Sequence, residues 1–342
     1  MKKIYFLLVG LLILSLSGCG LVKFLGYKTN GPQIIFREQA KEEVLRRKID
    51  GTAIKLKDEA NLYPVAIMVE NAADSWPQTG LDKANLVIEA ITEASIPRFV
   101  AIFASNEEIK KIGPVRSARS YYLDWINPFQ PLYMHVGGAP EALQKIRKGD
   151  YDLTDFDQFF HGNYYWRDKW RYAPHNVYTS SEQMKQALTA KNLNAPADYQ
   201  MWKYKDDLEL DKRPEQVNDI QINYAQQYYK VKWVYNRDEN NYIRYQNGEI
   251  HKMSDGEWIK ARNIIVQVNA MSVIDDVGRK KITTLGEGRA WIFRDGGTIE
   301  GTWKQSDIKE RIKYFDKNTN EIEFNGGTTW IEVIPDEEYL RS

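Results

Sequence analysis

Short apolar runs bounded by Gly, Pro, Asn and Ser punctuate the first half of the chain: PVAIMVEN (64–71), NLVIEAIT (85–92), RFVAIFAS (98–105) and PLYMHVGG (131–138). Runs of this length with no polar face predict strands covered on both sides. Two helical segments lie among and after them: SARSYYLDWINP (117–128), stopped by Pro128, and APEALQKIRKG (139–149), closed by Gly149. Strands covered on both faces and interleaved with helices predict a mixed α/β layered domain over residues 61–195. Residues 196–217 are polar, hold two prolines and read as a linker. Over residues 218–342 the pattern is β. It alternates in places, carries turn signals at 236–241 and at Asn247 and Gly248, and includes the strand NIIVQVNAMSVI (263–274). RAWIFRDGGTIEGTWK (289–304) and EIEFNGGTTWIEVIP (321–335) each predict a hairpin about an Asp/Asn-Gly-Gly turn. The expected class is α+β, a mixed α/β layered domain followed by a smaller β-rich domain.

The N-terminus has another texture. Lys2 and Lys3 precede an apolar run over residues 4–16, and Leu16, Ser17, Gly18 and Cys19 follow at once. The run is short for a bilayer span and has the flanks of a signal peptide. A small-residue cleavage site ending in Cys resembles the bacterial lipobox, which implies a diacylglyceryl thioether on Cys19 and cleavage before it. The bland alternatives are an ordinary secretory signal or an uncleaved anchor. Residues 1–18 are then a lipoprotein signal peptide and 19–60 an anchor and tether, in which residues 35–48 suggest a short charged helix. The expected location is the extracytoplasmic side of the cell membrane, with the lipid on Cys19 as anchor rather than a spanning helix.

Composition narrows the chemistry. Cys19 is the only cysteine, so no disulfide forms within the chain and stability must come from a core. Forty-seven Lys and Arg balance 47 Asp and Glu, and this gives no basic excess for nucleic acid. No metal and no cofactor is expected. His-x-His and His-Glu-x-x-His spacings are absent, and Gly286, Glu287 and Gly288 precede no helix signal.

Three groups of polar residues remain. Arg116 and Arg119 flank a helix start after Gly113 and Pro114, with Ser117 as the expected N-cap. Cations there oppose the helix dipole, so either an anion binds or Glu89, Glu93 or Asp124 neutralises them. HGNYYWRDKWRYAPHNVY (161–178) sets aromatic rings beside Arg167, Lys169 and Arg171, a composition that suits sugar rings or simple packing over a core. His135 and His175 could act as acid or base, or be held by hydrogen bonds. Glu70, Glu89 and Glu93 end apolar runs, as acid/base groups or as ion-pair partners of Arg98, Arg116 and Arg119.

Several segments together resemble the YerB-like lipoproteins of Gram-positive bacteria: PVAIMVENAADSWPQTGL, IPRFVAIFAS, IGPVRSAR, HVGGAPEAL, RYAPHNVY, GEGRAWIFRDGG, GTWK and GGTTWIEVIP. The resemblance runs in order from about residue 60 to 335. It implies two domains of unknown function behind a lipobox. Asn71, Gln78, Glu89, Arg98, Arg116, Arg119, His135, Arg167, His175 and Asn176 match positions of the family's motifs, although Pro97 stands where members tend to have Thr. The resemblance transfers no catalytic role. Glu89, Arg98, Arg116, Arg119, His135, Arg167, His175 and Asn176 are therefore the candidate ligand-binding residues. The leading expectation is a lipoprotein that binds an anionic envelope component, such as a cell-wall polymer. The alternatives are a hydrolase or transferase using His135, His175 and Glu89, or a module that binds an envelope protein.

Overall fold

The structure is a computed structural model that describes residues 44–193, 195–224 and 227–342. The signal segment, Cys19 and most of the tether lie outside the described residues. Residues 44–48, the described end of the expected charged helix, are not helical, and Arg46 bridges to Ala53. Among the described residues no helix is long and apolar enough to cross a membrane.

The four apolar runs form strands β1 (Val65–Glu70), β2 (Leu86–Ile91), β3 (Pro97–Phe103) and β4 (Leu132–His135), every residue of them buried. They are followed by β5 (Thr154–Asp157), and helices α1 (Ser120–Ile126), α2 (Pro140–Lys148) and α3 (Ser181–Ala190) complete this part. The later strands are β6 (Ile220–Asn223), β7 (Lys230–Asn236), β8 (Asn241–Gln246), β9 (Asn263–Val268), β10 (Gly286–Arg294), β11 (Gly297–Gln305), β12 (Lys313–Asp316) and β13 (Thr329–Ile334). The class is α+β with one large mixed sheet.

Both halves of the sequence share that sheet. Its ten strands run β12-β11-β10-β9-β13-β2-β3-β1-β4-β5. The join is β13, parallel to β2 on one side (Glu89 opposite Glu332) and to β9 on the other. A second sheet built on β6, β7 and β8 covers one face through Trp233, Tyr242 and Val231, which pack with Phe99, Val87 and Trp330. Helix α1 covers the opposite face with Tyr121, Tyr122 and Trp125. Burial between these layers is why the central strands carry no polar face.

Three local expectations change. Residues 321–335 form no hairpin, because Phe324 and Asn325 pair with Tyr204 and Lys205 while β13 pairs in parallel at the sheet's centre. Residues 196–217 are not a free linker. Ala197, Tyr199 and Trp202 are buried, Trp202 Nε1 donates to the Ile312 carbonyl at 2.7 Å, and the Arg311 guanidinium stacks 3.6 Å over its ring. Helix α1 begins three residues after Ser117, with Arg119 in the N-cap position. Residues 116–118 are held extended by Arg116 N–H to the Met68 carbonyl and Ala118 N–H to the Gly137 carbonyl, so Ser117 is not a cap. The hairpin of β10 and β11 forms as expected about Asp295 and Gly296, both at positive φ.

Candidate functional site

The extended segment that carries the arginine pair lies along the end of β1, bridged at Val69 and Val115. Three guanidinium groups gather there. Arg119 forms a bidentate pair with Glu93 at 2.8 and 2.7 Å, and its Nη1 donates to the Ala118 carbonyl at 2.8 Å. Burial opposes the charge on Glu93, but the hydrogen bonds and charge of Arg119 hold that carboxyl below its ordinary value. Arg116 Nε lies 2.9 Å from Glu70 Oε1, and His175 Nδ1 lies 3.0 Å from Glu70 Oε2. Internal carboxylates thus neutralise both Arg116 and Arg119. Arg98 differs. It is buried, its Nη1 donates to the Ser117 carbonyl at 3.0 Å, and among the described residues no carboxylate pairs with it. Burial, and then the charges of Arg119 and Arg116, push its pKa down to about 10.

Beside this cluster lies a cavity of about 520 Å³ between the end of β4, α2 and the loop after β5. Arg116, Arg147 and Arg167 reach it, and Val136, Leu143 and Ile146 give it apolar walls. Phe159 and Phe160 stand over it, 71% and 81% exposed. Its two aspartates are already engaged. Asp157 Oδ1 accepts from the Gly137 N–H at 2.8 Å and the Phe159 N–H at 3.1 Å, and Asp155 Oδ1 lies 2.7 Å from His135 Nε2. Gly137 has φ +55, and a Cβ there would stand 3.0 Å from the Phe159 ring, so this position favours glycine. His135 is fully buried beneath the cavity, with Nδ1 2.8 Å from the Gly137 carbonyl.

A second, more open cavity of about 710 Å³ is lined by Lys111, Asp168, Arg171 and His175 beside the exposed rings of Trp170 and Tyr172. Glu70 connects the two, because its partners Arg116 and His175 line one each. Asn176 is buried and shapes the loop, accepting from Arg167 Nη1 at 2.8 Å and donating to the Arg171 carbonyl at 3.2 Å.

Of the candidate residues, Arg116 and Arg167 line the first cavity and His135 supports its floor. Arg98 and Arg119 flank Ser117 on its wall, His175 faces the second cavity, and Asn176 is a brace. Glu89 is the correction. It is fully buried under the second sheet, where its carboxylate accepts from Arg244 Nη2 at 2.7 Å, Asn71 Nδ2 at 3.2 Å and Trp330 Nε1 at 3.3 Å. Arg244 also bonds Gln246 and His251, His251 Nε2 lies 2.9 Å from Gln78 Oε1, and Glu332 accepts from Tyr224 and Trp233 at 2.8 Å each. Asn71, Gln78 and Glu89 therefore lock the two sheets together, and none of the three lines the arginine-bearing cavity. His135 bonds Asp155 and the Gly137 carbonyl, His175 pairs with Glu70, and Glu89 is held by Arg244 beneath the second sheet, so no hydrogen bond joins the three among the described residues. Among the described residues no group of three or more His, Cys, Asp or Glu could hold a metal. The sequence reading missed Arg147, Phe159 and Phe160. The adjacent aromatics of QFFHGN (158–163) were the available signal, while Arg147 joins the site only through the packing of α2.

Comparison with known proteins gives the following. Residues 51–194 match the N-terminal domain of the protein family of unknown function DUF3048, and residues 220–331 match its C-terminal domain. A protein of Bacillus subtilis (strain 168) named "Putative lipoprotein YerB" is 32% identical over 300 residues, covering 85% of this chain and 87% of that one. The crystal structure of YerB protein from Bacillus subtilis superposes with a TM-score of 0.76 at 29% identity, covering 87% of this chain and 99% of the solved chain.

Proposed function

From the premise that this chain belongs to the DUF3048 family, we propose that it is a lipoprotein anchored through Cys19 on the extracytoplasmic side of the membrane, and that it binds an anionic envelope component in its arginine-lined cavity. One observation carries the binding reading. Arg147 and Arg167 face the cavity without a carboxylate partner among the described residues, while Asp155 and Asp157 are already hydrogen-bonded. Guanidinium groups with no carboxylate partner in a concave site suit phosphate or carboxylate. The exposed rings of Trp170 and Tyr172 next door suit a sugar attached to such an anion. Two domains then have distinct tasks: residues 61–195 supply the cavity, and residues 218–342 supply the sheet that fixes Glu89 and β2 beneath it.

The test is titration of purified wall teichoic acid into the folded protein at low and high salt. Binding should weaken as salt rises, because exposed charges are screened. Arg147→Glu with Arg167→Glu should abolish it while leaving the circular dichroism spectrum unchanged, since both residues are exposed. Absence of binding at low salt by the folded protein overturns the reading.

A further inference from the structure

The walls of the first cavity have a property that an anion site does not need. Val136 at the foot of β4, Leu143 and Ile146 on α2, and Phe159 and Phe160 at the rim make a continuous apolar lining beside the open guanidinium groups. The two phenylalanines stand in water, yet they are not on a slack loop. Asp157 fastens the Phe159 N–H and the Gly137 N–H to one carboxylate oxygen, and the Phe160 N–H donates to the Asp157 carbonyl at 3.0 Å. Adjacent large rings held exposed beside a cavity mark a surface meant to be covered. A small hydrophilic anion would satisfy Arg147 and Arg167 and leave these rings wet. A chain of methylene or isoprenoid units attached to the anion would cover them, and a space of about 520 Å³ is of the size that holds such a ligand.

We propose that the cavity takes an amphiphile, with a phosphate or carboxylate head on Arg147 and Arg167 and an alkyl or isoprenoid chain against Val136, Leu143, Ile146, Phe159 and Phe160. The head rests on the anion reading given above; the chain is the addition. The lining sets three arginines (Arg116, Arg147 and Arg167) against two aspartates, and the bound oxygens of those aspartates are turned to His135 and to backbone N–H groups. The ligand class is then a lipid-linked or fatty anion rather than a soluble polymer segment alone.

Residues 44–342 suit the experiment. They form one compact unit, and the solved YerB chain, matched over 99% of its length, was crystallised as a folded protein. Calorimetric titrations would use dodecyl phosphate below its micelle concentration, sn-glycerol 3-phosphate and dodecyl maltoside. Dodecyl phosphate should bind at least about tenfold more tightly than either of the others, since each lacks one of the two contacts. Phe159→Ser with Phe160→Ser should bring dodecyl phosphate down to the affinity of glycerol 3-phosphate and leave the latter unchanged. Equal affinity of dodecyl phosphate and glycerol 3-phosphate for the wild type, both lost in Arg147→Glu/Arg167→Glu, would overturn the amphiphile and leave the anion site standing. Absence of binding by all three compounds would overturn both. Binding of dodecyl phosphate that neither double variant alters would place it elsewhere and also defeat the inference.

Discussion

Two arginine–glutamate clusters lie against opposite faces of the large sheet, and they behave differently. At the ends of β1 and β3, Arg116 and Arg119 pair with Glu70 and Glu93, Arg98 has no carboxylate partner among the described residues, and the adjoining cavity adds Arg147 and Arg167 beside the hydrogen-bonded Asp155 and Asp157. Beneath the second sheet, Arg244 is enclosed with Glu89 and Glu332, and the Trp233, Trp330 and Phe99 rings close over its guanidinium. The first cluster has cations to spare and an opening. The second has one cation for two carboxylates, all three fully buried. Residue type is common to both; solvent access and the count of partners separate a candidate binding surface from a structural lock.

Breaking the lock should have the largest effect. Arg244→Ala leaves Glu89 buried without its cation and should cost about 3–5 kcal/mol in urea denaturation. Arg147→Ala, in the open cluster, should change stability by less than about 0.5 kcal/mol. If both substitutions cost the same, the distinction between the clusters fails.

The lock should also respond to pH. Burial raises the Glu89 carboxyl well above its ordinary 4.5, and the neighbouring Glu332 adds to the rise against the charge of Arg244. A folded carboxyl that holds its proton more tightly than the unfolded one contributes stability that is present below pH 4.5 and is lost as pH rises toward the folded value. Burial and Arg244 hold His251 well below its ordinary 6.5, so its contribution has the opposite sign: present above pH 6.5 and lost as pH falls. Glu89→Gln removes only the first term. The stability of the wild type relative to Glu89→Gln should therefore decline steadily from pH 4.5 upward. A difference that is flat or rising with pH contradicts the upward displacement of the Glu89 carboxyl.

A smaller effect sharpens the open side. Gly137→Ala places a methyl group against the Phe159 ring at a left-handed backbone position and should cost about 1 kcal/mol in urea denaturation. It should also displace Phe159, weakening dodecyl phosphate binding more than glycerol phosphate binding. An unchanged ratio of the two affinities would show that Phe159 does not contact the chain.

Much of the fold was legible because burial on both faces leaves a plain mark. The runs at 64–71, 85–92, 98–105 and 131–138 became β1 to β4, and Gly149 ends α2 at positive φ. The Asn325, Gly326 and Gly327 signal misled because local turn chemistry reports a bend and not the strand's partner, which for β13 is parallel and distant in sequence. The segment 196–217 misled because its buried aromatics, Tyr199 and Trp202, are spaced among charges that point to water.

The candidate site divides the same way. Arginines at 98, 116 and 119 and carboxylates at strand ends were visible as types, and Glu93 was one of several possible partners of Arg119. Sequence by itself determined that the four apolar runs of the first half had to be buried, that no disulfide forms within the chain, and that cations are concentrated around residue 116. Only the tertiary structure decided that Glu89 belongs to a closed network and that Arg147, Phe159 and Phe160 share a cavity with Arg116 and Arg167. The reason is physical: burial preference is a property of each side chain, whereas partner choice depends on which segments the sheet brings within a few ångströms of one another.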